Sequence, residues 1–278
     1  QLAEIRSCLK AKDKEFVQCT NGDKGFALKM KIVPLFNDEL TLTTSLMKDL
    51  VRKKEKNVNN VTGAHVAASI GAFNYLEKLT DKQLKEETSD HKTPAYMACD
   101  AGNVMSIQTL VKRNINFGRR LPNGIYPFLV AIMNGHHDAA MFLLLNKNAK
   151  IGDINRTTET GITPLCWAIY YNFPDVAKLL LERGASVTTT LKSNGMTLIH
   201  MACFHNRYEC LALMATSKDA KYGKSEAGIT SLQYAIAHSS SCANFLINQG
   251  KSDLNVKDPR GYSMRDIAIM NGQYEIAF

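Results

Sequence analysis

Turn-forming residues recur along this chain at nearly constant spacing, and that period restricts the possible folds more than any other feature. Gly124, Gly161, Gly195, Gly228 and Gly261 mark the phase, with weaker equivalents at Asn60 and His91. From Asn60 onward the successive separations are 31, 33, 37, 34, 33 and 33 residues. A repeat of this length is one supersecondary unit that cannot bury its own apolar face and becomes stable only against copies of itself.

Each unit carries the same punctuation. Thr62, Thr93, Thr163, Thr197, Thr230 and Ser263 occupy one position, where a hydroxyl can cap a helix by accepting a backbone N–H. Pro94, Pro127 and Pro164 follow at the first helical position, where a missing N–H costs nothing. Tyr126 breaks the hydroxyl rule, and Gly63, Leu198, Ser231 and Met264 break the proline rule. Ala67, Ala98, Ala131, Ala168, Ala202, Ala235 and Ala268 keep this first helix slim, so that neighbouring units can approach. Gly71, Gly102, Gly135 and Gly272 then end it, because glycine accepts a left-handed backbone cheaply. Apolar pairs in the second helix (Leu110-Val111, Leu143-Leu144, Leu180-Leu181, Leu246-Ile247) are what stacking would bury.

The best-preserved unit runs from Gly161-Ile162-Thr163-Pro164-Leu165-Cys166-Trp167-Ala168 to Leu179-Leu180-Leu181-Glu182-Arg183-Gly184-Ala185, and it resembles the ankyrin repeat. The resemblance implies an all-α ankyrin-repeat solenoid of paired antiparallel helices with β-hairpin-like connecting turns. It spans residues 58–278 in about seven repeats, the first two degenerate and the last incomplete. Residues 1–57 are expected to be an N-terminal cap or a small non-repeat segment. Within it, Thr43 to Lys56 reads as a helix and Asn21 to Gly25 as a turn. The chain opens on Gln1 and halts late in the last repeat, so it is expected to be a fragment whose solenoid continues beyond Phe278.

Chemistry is sparse. Hydrophobic residues make up 45% and charged residues 22%, a composition that excludes wholesale disorder. No apolar run approaches the ~18 residues that span a bilayer, and the N-terminus lacks the apolar stretch of a signal peptide. The seven cysteines form no CxxC pair, which points to reduced thiols in an intracellular, cytoplasmic compartment. For a secreted effector that compartment would be the host cytoplasm.

Register explains most of the reactive side chains. Cys99 and Cys203 follow the small alanines, Cys166 takes the place of the family's motif histidine, and Cys210 and Cys242 open second helices. All five are expected to be buried, whereas Cys8 and Cys19 lie outside the repeats and are left open. His65 and His200 fall on the motif histidine, whose implied task is to hold a neighbouring loop. His136 belongs to the step between helices, and His137, His205 and His238 are expected to be more exposed. Phosphate-loop, dinucleotide, zinc-protease and serine-hydrolase motifs are lacking. No catalytic residue, metal, cofactor or small-molecule substrate is therefore expected.

A net charge of +8 favours acidic partners, but the basic residues are dispersed, so nucleic acid ranks last. The run Lys48 to Lys56 reads first as the solvated face of a capping helix and second as an anion-binding patch.

The resemblance implies a protein partner held in the concave groove by turn tips and first helices. Carried over by position, the candidates are Met133, Tyr170, Tyr171, Phe204, His205 and His238, with Arg119 and Arg120 as a positive cluster beside the Tyr126 turn. Exposed rings suit such contacts because they bury much area for little rotamer entropy. The 37-residue step before Gly161 makes the 152–160 connection a projecting finger or an inert insertion. The module is expected to be a monomer, part of a bacterial effector or a scaffold. The alternatives are the substrate-recruiting part of a larger enzyme and the cytoplasmic ankyrin domain of a channel or transport protein.

Overall fold

The computed structural model describes residues 60–250 and 252–277. The expected helix at 43–56, the turn at 21–25, Cys8, Cys19 and the basic run 48–56 lie outside the described residues.

Within them the chain forms seven helix pairs. These are α1 (Gly63–Ile70) with α2 (Phe73–Lys78), α3 (Pro94–Asp100) with α4 (Val104–Lys112), and α5 (Pro127–Met133) with α6 (His137–Leu145). There follow α7 (Pro164–Tyr170) with α8 (Pro174–Glu182), α9 (Leu198–Phe204) with α10 (Tyr208–Ala215), α11 (Ser231–His238) with α12 (Ser240–Asn248), and α13 (Met264–Met270) with α14 (Tyr274–Ala277). First helices stack on first helices and second on second, giving an all-α solenoid. Among the described residues the only β pairing is isolated bridges such as Thr190–Thr197 and Lys224–Thr230.

The periodic positions all prove to be left-handed. Asn60 (φ 53°) and His91 (φ 61°) share that conformation with Gly124, Gly161, Gly195, Gly228 and Gly261. The cause is the turn itself. In the 88–92 turn the His91 N–H donates to the Thr88 carbonyl at 2.9 Å, and the Thr88 N–H donates to Lys92 across the turn at 2.9 Å. The same pair of bonds closes the turns ending at Gly124, Gly161, Gly228 and Gly261. A tight turn followed by one left-handed residue is the hairpin geometry that glycine or asparagine tolerates best.

Hydroxyl caps start the first helices as expected. Thr93, Thr163, Thr197, Thr230 and Ser263 accept from the N–H three residues on, at 3.2–3.4 Å. Tyr126 makes no such cap; its ring is fully buried, and its hydroxyl donates to the Asp153 carbonyl at 3.5 Å. Gly71, Gly102, Gly135 and Gly272 turn left-handed after the first helix, and Asn172 (φ 59°) and Asn206 (φ 55°) take over that task in the fourth and fifth pairs. In the sixth pair the turn shortens to the single extended residue Ser239, which caps α12.

The core lies between the two helical layers and between successive pairs. The seven recurring alanines, Ala67, Ala98, Ala131, Ala168, Ala202, Ala235 and Ala268, are at 0% exposure. Leu110, Leu143, Leu180 and Leu246 are equally buried, whereas Leu181 and Ile247 only half enter the core. The five described cysteines are buried thiols, and desolvation pushes the acidity of each down, Cys210 to a pKa of about 11.

The motif histidines hold consecutive pairs together. His65 Nδ1 accepts the Thr62 N–H at 3.1 Å, which leaves the proton on Nε2 to donate to the Lys92 carbonyl at 3.0 Å. His200 repeats this with Thr197 (3.2 Å) and the Ile229 carbonyl (3.2 Å). Burial lowers the pKa of both, since a charged ring would lose hydration and its acceptor atom. Gln233 does the same job without titrating: its Oε1 accepts from Thr230 at 2.8 Å and its Nε2 donates to the Val256 carbonyl at 3.5 Å.

Two outcomes follow for folding. Lowered folded-state pKa values mean that these histidines contribute stability fully above their ordinary value of 6.5. That contribution is lost as pH falls through the folded values, because the unfolded chain takes up the protons first. In urea titrations between pH 7 and pH 5, His65→Gln/His200→Gln should therefore lose less stability than the wild type. Ile132→Ala, at a fully buried site in α5, should cost about 2–5 kcal/mol in the same assay.

Candidate protein-binding groove

The first helices are seven or eight residues long, and their burial pattern defines a face. In α7, Pro164, Leu165, Cys166, Ala168 and Ile169 are buried, while Trp167 is half-buried and Tyr170 exposed. The open positions are the fourth and seventh, three apart and so on one side of the helix. From α3 to α11 the seventh positions (Asp100, Met133, Tyr170, Phe204, Ala237) are exposed or half-buried; at the fourth, Met97, Trp167 and Tyr234 are half-buried, whereas Val130 and Met201 are buried. The residue after each seventh position adds Tyr171, His205 and His238.

Large side chains cluster at the centre of these rows. Tyr170, Phe204 and Tyr171 expose 44%, 41% and 36% of their surface. They belong to one connected ladder of rings. Trp167 meets Tyr170 edge-on at 5.7 Å and stacks near Tyr171 at 6.1 Å. Tyr170 meets His205 at 5.1 Å, His205 meets Phe204 at 5.0 Å, and Phe204 meets His238 at 4.7 Å and Tyr234 at 5.8 Å. Most contacts are edge-to-face, the arrangement that the ring quadrupoles favour. The ladder continues through Phe173, which stacks on Tyr171 at 5.7 Å, to His137 at 5.1 Å. Where these rings lie, from α5 to α9, the first helices pack less closely than α1 on α3, α3 on α5 or α9 on α11.

Within the ladder the residues differ in kind. Tyr171 donates its hydroxyl to the Met133 carbonyl at 2.8 Å, and its ring covers Gly135, where an added Cβ would come within 3.2 Å of the ring. It staples the fourth pair to the third. Tyr170, Phe204 and His238 are exposed, and among the described residues their side chains form no such bond. His205 is half-buried between Tyr170 and Phe204, and burial, then Arg207, then His238 lower its pKa. His137 is also half-buried rather than exposed. Burial would lower its pKa, but the hydrogen bonds its ring donates to the carboxylates of Asp138 (3.1 Å) and Asp175 (2.7 Å) outweigh this and raise it.

The remaining sequence candidates lie apart. Met133 is half-buried under the Tyr171 bond. Arg119 forms an ion pair with Glu87, and the neighbouring Arg113 is held by the Glu77 and Leu79 carbonyls and by Asp81. Arg119 and Arg120 are both exposed, and Arg120 lies beside Gly124. The 152–160 connection does not project. Asn155 donates to the Gly184 carbonyl at 2.9 Å and accepts from Ser186 N–H at 2.7 Å, while Arg156 donates to the Gly118 carbonyl at 2.9 Å. Trp167 and Tyr234 are the groove residues that the sequence reading missed; counting three residues back from Tyr170 and Ala237 would have found them.

Among the described residues, no group of three or more His, Cys, Asp or Glu side chains is placed to hold a metal ion. No helix among them is long and apolar enough to cross a membrane.

Comparison with known proteins agrees with this architecture. Residues 116–191 match the family model for ankyrin repeats in three copies. The human ASB11 ankyrin repeat domain superposes with a TM-score of 0.62 at 18% identity, covering 78% of this chain and 98% of that one. A chain in the complex of the Bd0816 predatory endopeptidase of Bdellovibrio bacteriovorus with immunity protein Bd3460 superposes at 0.55 with 25% identity, covering 69% and 96%. Residues 116–191 are thus matched as ankyrin repeats, and the helix pairs as a whole share the fold of an ankyrin-repeat domain.

In sequence it is 29% identical over 156 residues to the human transient receptor potential cation channel subfamily A member 1, covering 54% of this chain and 13% of the channel. It is 22% identical over 259 residues to the phosphocholine transferase AnkX of Legionella pneumophila, covering 82% of this chain and 26% of that enzyme. The chain thus spans a minor part of the length of both relatives.

The division between staple and outward ring is measurable. Tyr171→Phe should lower stability by about 0.5–1.5 kcal/mol through its lost hydrogen bond. Phe204→Ala should cost clearly less than Phe128→Ala, which empties a fully buried site and should cost about 3–5 kcal/mol. Chemical denaturation midpoints of the three variants check both statements.

Proposed function

We propose that this protein binds a protein segment along the groove face of its first helices, between the Gly124 and Gly228 turns. Tyr170, Phe204, His205 and His238 serve as the contact anchors. Ankyrin repeats are protein–protein interaction modules, and the observation that carries the finer reading is the exposed ring ladder on the face that stacking leaves open. Rings already fixed against one another lose little entropy when a partner covers them, which favours affinity from a preformed surface. Met133 and Arg120 flank this patch. Tyr171 supports it from behind and Arg119 is engaged with Glu87, so neither is an anchor.

On this reading the module catalyses nothing itself and works in a reducing intracellular compartment. The two sequence relatives are a channel and a transferase, each far longer than the matched part. The same groove could therefore serve a scaffold, an effector or the recruiting part of a larger protein, with the partner as the discriminating quantity.

The test compares the wild type with Tyr170→Ala/Phe204→Ala/His238→Ala in affinity capture from eukaryotic lysate, read by mass spectrometry. Circular dichroism confirms the fold, and Tyr171 is left intact because it staples two repeats. A protein retained by the wild type and lost by at least tenfold with the variant is the expected result. Equal retention by both would remove the groove from the binding surface.

A further inference from the structure

The ring ladder lies between two edges of the groove that differ in charge. The leading turns stack into one of them. A Cβ on Gly161 would meet Lys192 of the following turn, one on Gly195 would meet Glu226, and one on Gly228 would meet Pro259. The Glu226 N–H donates to the Asn194 carbonyl from turn to turn at 3.0 Å, and Arg156 ties the fourth connection to the third turn. Cations that are scattered in the sequence come together along this edge. Arg120, Lys192, Lys221, Lys224 and Arg260 are exposed there, and among the described residues none of them forms an ion pair. Of the acids in the same turns, Glu159 and Glu226 are exposed, whereas Asp258 is spent on the N–H groups of Arg260 (3.0 Å) and Tyr262 (2.8 Å).

The other edge, where first helices pass into second helices, is acidic. Asp100, Asp138, Asp175 and Glu209 are exposed there. Most of this charge is already engaged: Asp100 accepts from the Asn134 amide at 3.1 Å, and Asp138 and Asp175 both hold His137. The uncommitted charge is therefore mainly positive and lies on the turn edge. First helices of seven or eight residues are about 10–12 Å long, so the exposed rings at their C-terminal ends lie about one screening length from it.

We propose that the groove takes an acidic segment of a protein partner, with an apolar side chain on Tyr170 and Phe204 and neighbouring aspartates or glutamates against the turn edge. This rests on the groove reading and adds the chemistry of its occupant. Charge complementarity selects that chemistry. A basic segment would meet the uncommitted cations, and could pair with most of the opposite acids only by displacing Asn134 or His137. Glu159 and Glu226 interrupt the basic row, which suits spaced carboxylates better than an unbroken phosphate backbone. The net charge of +8 adds long-range attraction for an acidic segment. Rim charges act mainly on association and orientation, while the rings supply buried area. Successive helix pairs lie about 10 Å apart, so an extended segment of about twelve residues runs from the third turn to the seventh.

The test pans displayed random peptides of that length against the 278-residue chain and sequences those retained. Fluorescence anisotropy of the labelled synthetic peptides then gives affinities for the wild type and three variants, each confirmed folded by circular dichroism. Retained peptides should be richer in Asp and Glu than the unselected library. Arg120→Glu/Lys192→Glu/Lys224→Glu should weaken their binding by roughly tenfold or more, and Tyr170→Ala/Phe204→Ala by a similar factor. Lys112→Glu/Lys147→Glu/Lys178→Glu changes net charge equally on the second-helix side and should leave binding within about twofold. Ring-dependent peptides with no acidic enrichment, or with no sensitivity to the turn-edge reversal, overturn the proposal and leave the groove reading intact. Acidic peptides that ignore the ring variant overturn the groove reading and, with it, the seat on Tyr170 and Phe204. Equal loss with both charge-reversed variants overturns the proposal in favour of nonspecific attraction. So does a library that yields no retained peptide, or a single-stranded RNA of the same length that binds more tightly than the peptides and is lost with the turn-edge reversal.

Discussion

Every helix pair in this molecule depends on the next one to cover it. From α3 to α9 each first helix buries all but one or two of its positions because small alanines let the following helix lie directly against it, and the same contact places polar side chains beside a neighbour's backbone. His65, His200 and Gln233 tie the start of one first helix to the turn ahead. His136, Tyr171 and Arg207 reach back to the helix end behind. Burial supplies most of the free energy, and these bonds fix how far each pair turns relative to the last. Stability is consequently shared between neighbours, and a lone pair would have almost none of it.

That arrangement has a weak stretch, and the chain reinforces it. The position held by His65 and His200 is Leu129 in α5 and Cys166 in α7. Cys166 Sγ still accepts the Thr163 N–H at 3.4 Å, but leucine offers no polar atom, and no bond from the thiol reaches the turn ahead. Between these two helices lies the long 152–160 connection. Its Arg156 reaches back to Gly118 and lies over the Tyr126 ring at 5.6 Å, and its Asn155 reaches forward to Gly184 and Ser186. The extra residues thus bridge the two steps where the usual polar side chain is missing.

Much of this was legible in the sequence because turns and caps are local. A left-handed residue after a tight turn favours glycine or asparagine, and the phase positions from Asn60 to Gly261 all adopt that conformation. Even His91, the least expected residue there, conforms. Long-range consequences were harder to read. Nothing local distinguishes Tyr171, which bonds across 38 residues to Met133, from Tyr170 beside it. Ion pairing of Arg119 with Glu87 depends on how the second and third turns lie side by side. Length alone left the 152–160 connection as either a projecting finger or an inert insertion, whereas its polar side chains bond to two neighbouring turns and hold it down.

The ring ladder also makes this protein optically informative. The chain has a single tryptophan, Trp167, and it sits within the groove face, stacked beside Tyr171 and edge-on to Tyr170. Indole emission responds to the polarity of its surroundings, and the nearby tyrosines can pass excitation energy to it. Occupation of the groove would therefore report itself in the intrinsic fluorescence of the unlabelled chain, a signal that originates at one known position in the fold.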